Sequence, residues 1–259
     1  MIGTGPYNSL REYLTAVEAH GKLIKIDEID QDAYELTGFM YKLIDKYGWL
    51  DAPAVLVEKV KVSGEWMEGP ILINQYGMGG HEALVVGVPL DEIDPEDHIL
   101  NYKKSLQKML SEMPIEPMKT KEVKATDAPS KEIVLKGDEI DILSFPFIQT
   151  NPADNGRFIN TGNLITIDPD GGRNVGTYRM QIKGPRKIGI SPERNQDGWK
   201  ALMALKEKGE AHANVAVVLG TDPIVFAMSS SKTARSGQDE LEIAGGFKGE
   251  SVEVVKCED

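Results

Sequence analysis

The sequence predicts an α+β protein in two domains, and three observations carry that prediction. Helical and strand-like patterns alternate through the first ~110 residues, as in an α/β unit. From Pro114 to Ser130 the chain turns to Pro, Lys, Glu and Thr with little periodicity, which reads as a connector. Beyond it, short strand patterns and turn signals dominate, favouring a β-barrel or sandwich over another parallel sheet. The division is placed at 118/119, giving domains 1–118 and 119–259.

In the first domain, Asn8 or Ser9 can cap a helix, Glu12 completing a capping box with Ser9, ahead of a stripe of Leu10, Tyr13, Leu14 and Val17, and Gly21 ends that helix. A short strand is expected over Leu23 to Ile26. Asp32 to Lys46 is a second amphipathic helix, with Leu36, Phe39, Met40, Leu43 and Ile44 at helical spacing and Gly48 just beyond. Strands follow at Ala54 to Val57 and Ile71 to Asn74. The loop Gln75 to His81 resembles neither nucleotide-binding glycine fingerprint in its required strand-to-helix context, so a turn is expected. His81 and His98 lack a partner at metal-ligand spacing and are expected at the surface. Pro95 to Met113 is a long polar helix with one apolar stripe.

In the second domain, strands are expected at Glu132 to Leu135, Phe158 to Ile167, Asn174 to Ile182, Asn214 to Leu219 and Ser251 to Val255, with one helix at Asp197 to Lys208 ended by Gly209. Pro169-Asp170-Gly171-Gly172 joins two of these strands into a hairpin. Thr161 lies on its first strand. Asn174 and Arg179, five positions apart on the second, fall on opposite faces by strand alternation unless a bulge intervenes. Gln196-Asp197-Gly198 opens the helix, where free amides and the helix dipole favour an anion. Met228 to Lys232 reads as a serine-rich loop able to bind phosphate or lend oxygens to a metal. The carboxylates of Gln238 to Glu242 read as a solvated face.

Composition narrows the function classes. The 259 residues are 41% hydrophobic and 27% charged, as in a water-soluble globular protein, and no apolar run approaches the ~20 residues that span a bilayer. With 29 basic and 41 acidic residues the net charge is −12, which opposes attraction to nucleic acid or anionic lipid. The N-terminus lacks a basic segment followed by an apolar one, so a cytoplasmic protein is expected. The single cysteine, Cys257, permits neither an internal disulfide nor a cysteine-built zinc site and is expected to be a buried apolar residue.

FINTGNLITI, RNVGTYRMQ, GTDPIVFAMSSS and AGGFKGESVEVVKCED stand in an order and near a spacing that resemble the UbiD family of decarboxylases. The likeness is weak over the whole chain and close from Gly156 to Asp259. It implies a split β-barrel of the flavin-reductase kind after the α/β domain, prenylated FMN as cofactor, and Mn2+ or Mg2+ beside the flavin phosphate. By the resemblance, Asn174 and Glu240 are metal ligands. Arg179 is the catalytic arginine that meets the substrate carboxylate, a guanidinium forking onto a carboxylate. By the same resemblance Asn174 contacts the cofactor, and Thr161, Gln196 and Ser229 contact the cofactor or an accompanying monovalent cation such as K+. A flavin prenyltransferase as supplier and a homo-oligomeric state are implied too.

Two departures accompany the match. Many members carry a histidine as third metal ligand in the stretch equivalent to Asn195 to Asp197; here Asp197 stands there, which keeps a hard oxygen but adds negative charge. Family members also continue into a segment bearing two acidic residues that complete the catalytic set, including the proton donor. The sequence at hand holds only Arg179 of that set, so little turnover is expected without a second chain or segment carrying the rest. The resemblance therefore implies a reversible decarboxylase of aromatic or α,β-unsaturated carboxylic acids, acting as a partial chain or subunit. A non-catalytic flavin-nucleotide-binding or partner subunit is the alternative, and a flavin-reductase-like oxidoreductase a third.

Overall fold

The computed structural model describes residues 3–169, 172–235 and 237–258, so Asp170 and Gly171 of the expected hairpin turn lie outside the described residues. The chain forms two compact units. The first gathers Met1–Met113, Asp141–Ile159 and Gln181–Ile188, and the second Pro114–Ile140, Asn160–Met180 and Gly189–Asp259.

The first unit is built on a three-stranded sheet in the order β1 (Leu23–Asp30), β2 (Ala54–Val62), β3 (Glu65–Ile73). β1 and β2 pair in parallel from Leu23 opposite Ala54 to Asp30 opposite Lys61. β2 and β3 form an antiparallel hairpin with a register shift between Val57 and Lys59. Both hairpin strands run longer than the expected Ala54 to Val57 and Ile71 to Asn74. The missed part is closed by Ser63-Gly64, both at positive φ (57° and 85°), as tight hairpin turns require. The Asp32 carboxylate secures that turn by accepting the Ser63 and Gly64 N–H groups, each at 2.7 Å.

Helix α1 (Leu10–Ala19) starts at Ser9, whose Oγ accepts the Glu12 N–H at 3.1 Å, while Glu12 accepts the Asn8 N–H at 2.8 Å. Helix α2 (Glu35–Tyr47) buries Leu36 and Leu43 against Val55, Val57 and Val60 of β2 and Ile148 of the later segment. Helices α3 (Gly79–Val85) and α4 (His98–Ser111) pack on each other. Their approach at Gly79 is close enough that a Cβ there would stand 2.0 Å from the His98 carbonyl oxygen. The expected turn over Gln75 to His81 therefore ends in a helix, and His81 and His98 are buried, not surface residues.

Burial of His81, helped by the nearby Lys22 and His98 charges, lowers its pKa from 6.5 to about 4. The folded state thus keeps a neutral ring that the unfolded chain protonates below pH 6.5. Stability contributed by His81 is full above that value, falls as pH drops, and is gone below about pH 4, a loss of roughly 3 kcal/mol. Denaturant unfolding at pH 7 and pH 4 should show this loss, and His81→Gln should shrink it.

The second unit contains most of a four-stranded sheet in the order β7 (Lys187–Ile190), β6 (Arg173–Gly184), β5 (Phe158–Ile167), β8 (Ala216–Val218). β5 pairs antiparallel with β8, and the parallel pair β4 (Lys121–Glu122) and β9 (Glu253–Val254) stands apart. The expected strand at Glu132 to Leu135 is not formed: a 3₁₀ turn at Pro129–Lys131 precedes it, and Ile133 is 76% exposed, so no apolar face is buried there. Among the described residues three α-helices, not one, interrupt the strands: α5 (Asp197–Glu207), α6 (Pro223–Ser230) and α7 (Glu240–Lys248). The serine-rich stretch is thus largely the end of α6. Asp222 caps that helix through the Ile224 and Val225 N–H groups, with Pro223 at its first position. Cys257 is exposed, against expectation, because it follows β9 in open chain.

Helix α7 packs so tightly on the connector that a Cβ at Gly246 would lie 2.0 Å from the Glu116 carbonyl oxygen. Gly246→Ala is expected to destabilise the protein by roughly 1–3 kcal/mol, since backbone must move to admit the methyl group. Chemical denaturation reads the loss; an unchanged midpoint would contradict this packing. Among the described residues, no helix is long and apolar enough to cross a membrane.

Candidate functional site

Three sequence-predicted site residues converge on one cleft of about 320 Å³ in the second unit. Asn174 comes from the start of β6, Asp197 from the first turn of α5 and Glu240 from the first turn of α7. Lys200, Arg173 and Arg235 add positive charge to the same lining. Two helix starts and a strand start therefore meet, which concentrates backbone N–H groups and positive dipole ends where an anion is favoured, while the carboxylates are the groups that suit a cation.

Each of these three side chains is positioned locally. Glu240 Oε2 accepts the Val175 N–H at 2.7 Å, tying α7 to β6. The preceding Asp239 caps α7 through the Leu241 N–H and is gripped by Arg173 from Nε (2.8 Å) and NH2 (2.5 Å), with Thr120 accepting a further Arg173 bond at 3.1 Å. Asn174 donates its amide N–H to Thr166 at 3.3 Å, which commits the donor end of the amide. Asp197 is paired with Lys200 at 2.6 Å and Lys232 at 3.3 Å.

The two carboxylates differ in their electrostatics. Burial pushes the Glu240 carboxyl above the ordinary range, partly offset by the Val175 N–H and reinforced by the Asp239 and Asp197 charges. The Asp197 carboxyl is held below its ordinary range, first by the Lys200 hydrogen bond and then by Lys232. A buried carboxylate raised by its neighbours gains most from a cation. Among the described residues no three His, Cys, Asp or Glu side chains converge on a metal-binding point. The set here is two carboxylates and an amide, and its all-oxygen chemistry fits Mg2+ or Mn2+. The expected solvated face at Gln238 to Glu242 is instead half-buried at Asp239, Glu240 and Glu242.

The other predicted residues lie off this cleft's lining. Ser229 is buried in a hydroxyl-amide network in which Asn163 Nδ2 donates to Ser229 Oγ (2.6 Å) and Thr177 Oγ1 (2.9 Å), and Thr221 donates to Asn163 Oδ1 (2.8 Å). Gln196 is the N-cap residue of α5, its Oε1 accepting the Glu193 N–H at 2.6 Å. Thr161 is exposed on β5. Arg179 is exposed on β6, its Nε donating to Asn160 at 2.9 Å, and its position five residues from Asn174 places it on the other face of the strand.

Sequence reasoning missed Arg173, Lys200 and Tyr178. Lys200 carried a signal, since it follows Asp197 by three residues on a helix. Tyr178 shares the strand face of Asn174, and its hydroxyl takes the Gly198 N–H at the start of α5. A Cβ at Gly198 would meet that hydroxyl at 2.5 Å and one at Gly176 would meet the ring at 2.6 Å, so the two glycines make room for the tyrosine.

Residues 121–259 match the family model of the UbiD 3-octaprenyl-4-hydroxybenzoate carboxy-lyase Rift-related domain. Among curated relatives, the phenolic acid decarboxylase of Escherichia coli O157:H7 is 28% identical over 251 residues, covering 93% of this chain and 49% of the relative. That of Bacillus subtilis (strain 168) is 28% identical over 255 residues, covering 96% and 50%. Among solved structures, an evolved dimeric form of the UbiD-class enzyme HmfF from Pelotomaculum thermopropionicum in complex with prFMN aligns with a TM-score of 0.77 at 28% identity, over 97% of this chain and 53% of that one. The open form of vanillic acid decarboxylase from Sedimentibacter hydroxybenzoicus aligns with a TM-score of 0.80 at 25% identity, over 97% and 50%. The chain spans about half the length of the curated relatives it matches. The α+β architecture, the ordered motifs and a family match over more than half of the sequence agree: the chain belongs to the UbiD family.

Proposed function

We propose that this chain supplies the cofactor- and metal-binding part of a reversible, non-oxidative decarboxylase of aromatic or α,β-unsaturated carboxylic acids, using prenylated FMN. The observation that carries the reading is the cleft where Asn174, Asp197 and Glu240 meet beside Lys200 and Arg235. Hard oxygens beside cationic side chains would suit a divalent ion next to a phosphate. The relatives' names, phenolic acid and vanillic acid decarboxylase, and a structural relative bound to prFMN support it.

In this reading the strands beyond residue 118 build a split β-barrel. Asn174, Asp197 and Glu240 would hold Mn2+ or Mg2+. Lys200 and Arg235 neutralise the flavin phosphate. Thr161, Gln196 and Ser229 contact the flavin or a K+ ion. When bound, prenylated FMN supplies the electron sink for departure of carbon dioxide. Arg179 orients the substrate carboxylate by a charge-assisted pair. The proton donor comes from beyond the matched half, in the same or a second chain, within a cytoplasmic homo-oligomer fed by a flavin prenyltransferase.

Anaerobic co-expression with a flavin prenyltransferase, followed by absorption spectra and metal analysis, tests the reading. Bound flavin and a stoichiometric divalent ion are expected. A colourless, metal-free protein would overturn the cofactor site.

A further inference from the structure

Three of the chain's four histidines, His20, His81 and His98, line a second cavity of about 210 Å³ in the first unit. Their wall partners include Met78, Leu84, Leu90 and Ile93. His81 is fully buried and His98 is 9% exposed. His20 Nε2, both His81 ring nitrogens and His98 Nδ1 are buried without a hydrogen-bond partner. The Lys22 carbonyl lies near the His81 ring, but without hydrogen-bond geometry. Four such atoms around one cavity are a large departure from the rule that buried polar groups are paired.

Of the other polar residues of the lining, Lys22 supplies one positive charge, and Asn101 and Asp94 are already committed. Asn101 bonds both the N–H and the carbonyl of Asp94, at 2.8 and 2.6 Å. The Asp94 carboxylate accepts the Glu96 and Asp97 N–H groups at 2.8 and 3.0 Å. The imidazoles are thus the groups that face an occupant, and a neutral imidazole offers one donor and one acceptor.

This chemistry selects the occupant. The lining carries one lysine and one aspartate, whose charges balance, so a ligand bearing net charge would be desolvated without compensation. A metal ion is disfavoured because no three His, Cys, Asp or Glu side chains converge among the described residues. Apolar walls with a few polar groups mark a small-molecule site, and the volume lies below the roughly 300 Å³ at the lower end for drug-sized ligands, which leaves room for a single ring. A hydroxyl both donates and accepts, as neutral imidazoles require.

We propose that this cavity binds a small uncharged hydroxylated ring, of the phenol class, through the imidazoles of His20, His81 and His98. The site is separate from the Asn174–Glu240 cleft and does not rest on the decarboxylase reading. Histidine-selective nitrogen NMR of the cofactor-free protein, titrated with phenol, tests it. The ring signals of His20, His81 and His98 should shift saturably, with a dissociation constant of about 1 mM for so small a ligand, while those of His212 stay fixed. Benzene should bind at least tenfold more weakly, and Leu90→Trp, at a partly exposed wall position, should abolish the shifts. Should that variant not fold, His20→Phe should weaken phenol at least tenfold. Absence of saturable shifts would mean that the cavity holds water alone and would overturn the proposal. So would equal binding of benzene, phenol binding undisturbed by the wall variants, or tight capture of Zn2+ by the same rings.

Discussion

Replacing Glu240 by glutamine is expected to weaken Mn2+ binding by at least about 100-fold, since a ligand is lost where even outer partners are worth 10- to 100-fold. The fold should not suffer. Glutamine still offers an oxygen to the Val175 N–H that Glu240 accepts at 2.7 Å. The metal-free variant should in fact unfold at a higher temperature than its parent at neutral pH. Burial raises the Glu240 pKa, so the folded state resists the ionised form, and glutamine removes that resistance. The advantage should vanish as pH falls below the ordinary glutamate value, where Glu240 is protonated in folded and unfolded chains alike. Isothermal titration with Mn2+ and thermal melts across pH read both effects. Parental Mn2+ affinity in Glu240→Gln would place the metal elsewhere.

Cutting the Asp222–Lys248 pair should produce the largest loss of stability. The two charges lie 3.1 Å apart, with side chains 8% and 6% exposed, and join the start of α6 to the end of α7. Removing one member of a buried pair leaves an uncompensated charge and costs about 3–5 kcal/mol. Asp222→Ala belongs at the upper end because it also removes the cap on the Ile224 and Val225 N–H groups. Lys248→Met belongs at the lower end, because those two N–H groups still stabilise the carboxylate. For a chain of this size, melting temperatures should drop by roughly 10 °C. The double variant should recover part of the loss, and additive single losses in that cycle would show that the ion pair is not the cause.

The hairpin of β5 and β6 was legible in the sequence because its apolar residues alternate with the period of a strand, and β5 begins and ends at the expected Phe158 and Ile167. Helix α7 was not, because Gly245-Gly246 reads as a breaker while its real function is to admit the carbonyls of Glu116 and Met118 at close range. Such proximity is a tertiary fact. Helix α6 was readable and was missed: Asp222-Pro223 is an N-cap followed by proline at the first helical position, yet the serine run at its end suggested a loop. In the site, Asn174, Asp197 and Glu240 lie far apart in sequence, and the family resemblance picked them out before any pattern joined them. Their meeting depends on helix starts that periodicity does not locate. The histidine cavity left no trace in the sequence, since His20, His81 and His98 share no spacing.

The chain enters and leaves its first unit three times, because residues 141–159 and 181–188 fold with 1–113. Ile148 sits in that unit's core, and Arg157 braces the 143–147 backbone by donating to the carbonyls of Leu143, Phe145 and Phe147. No single scission therefore separates this polypeptide into two self-sufficient pieces. Cleavage between residues 114 and 120 should yield fragments that copurify until denaturant is added, and a gene fragment ending there should need the remainder in trans to fold. The interleaving makes neither unit a piece that folding or evolution can take by itself.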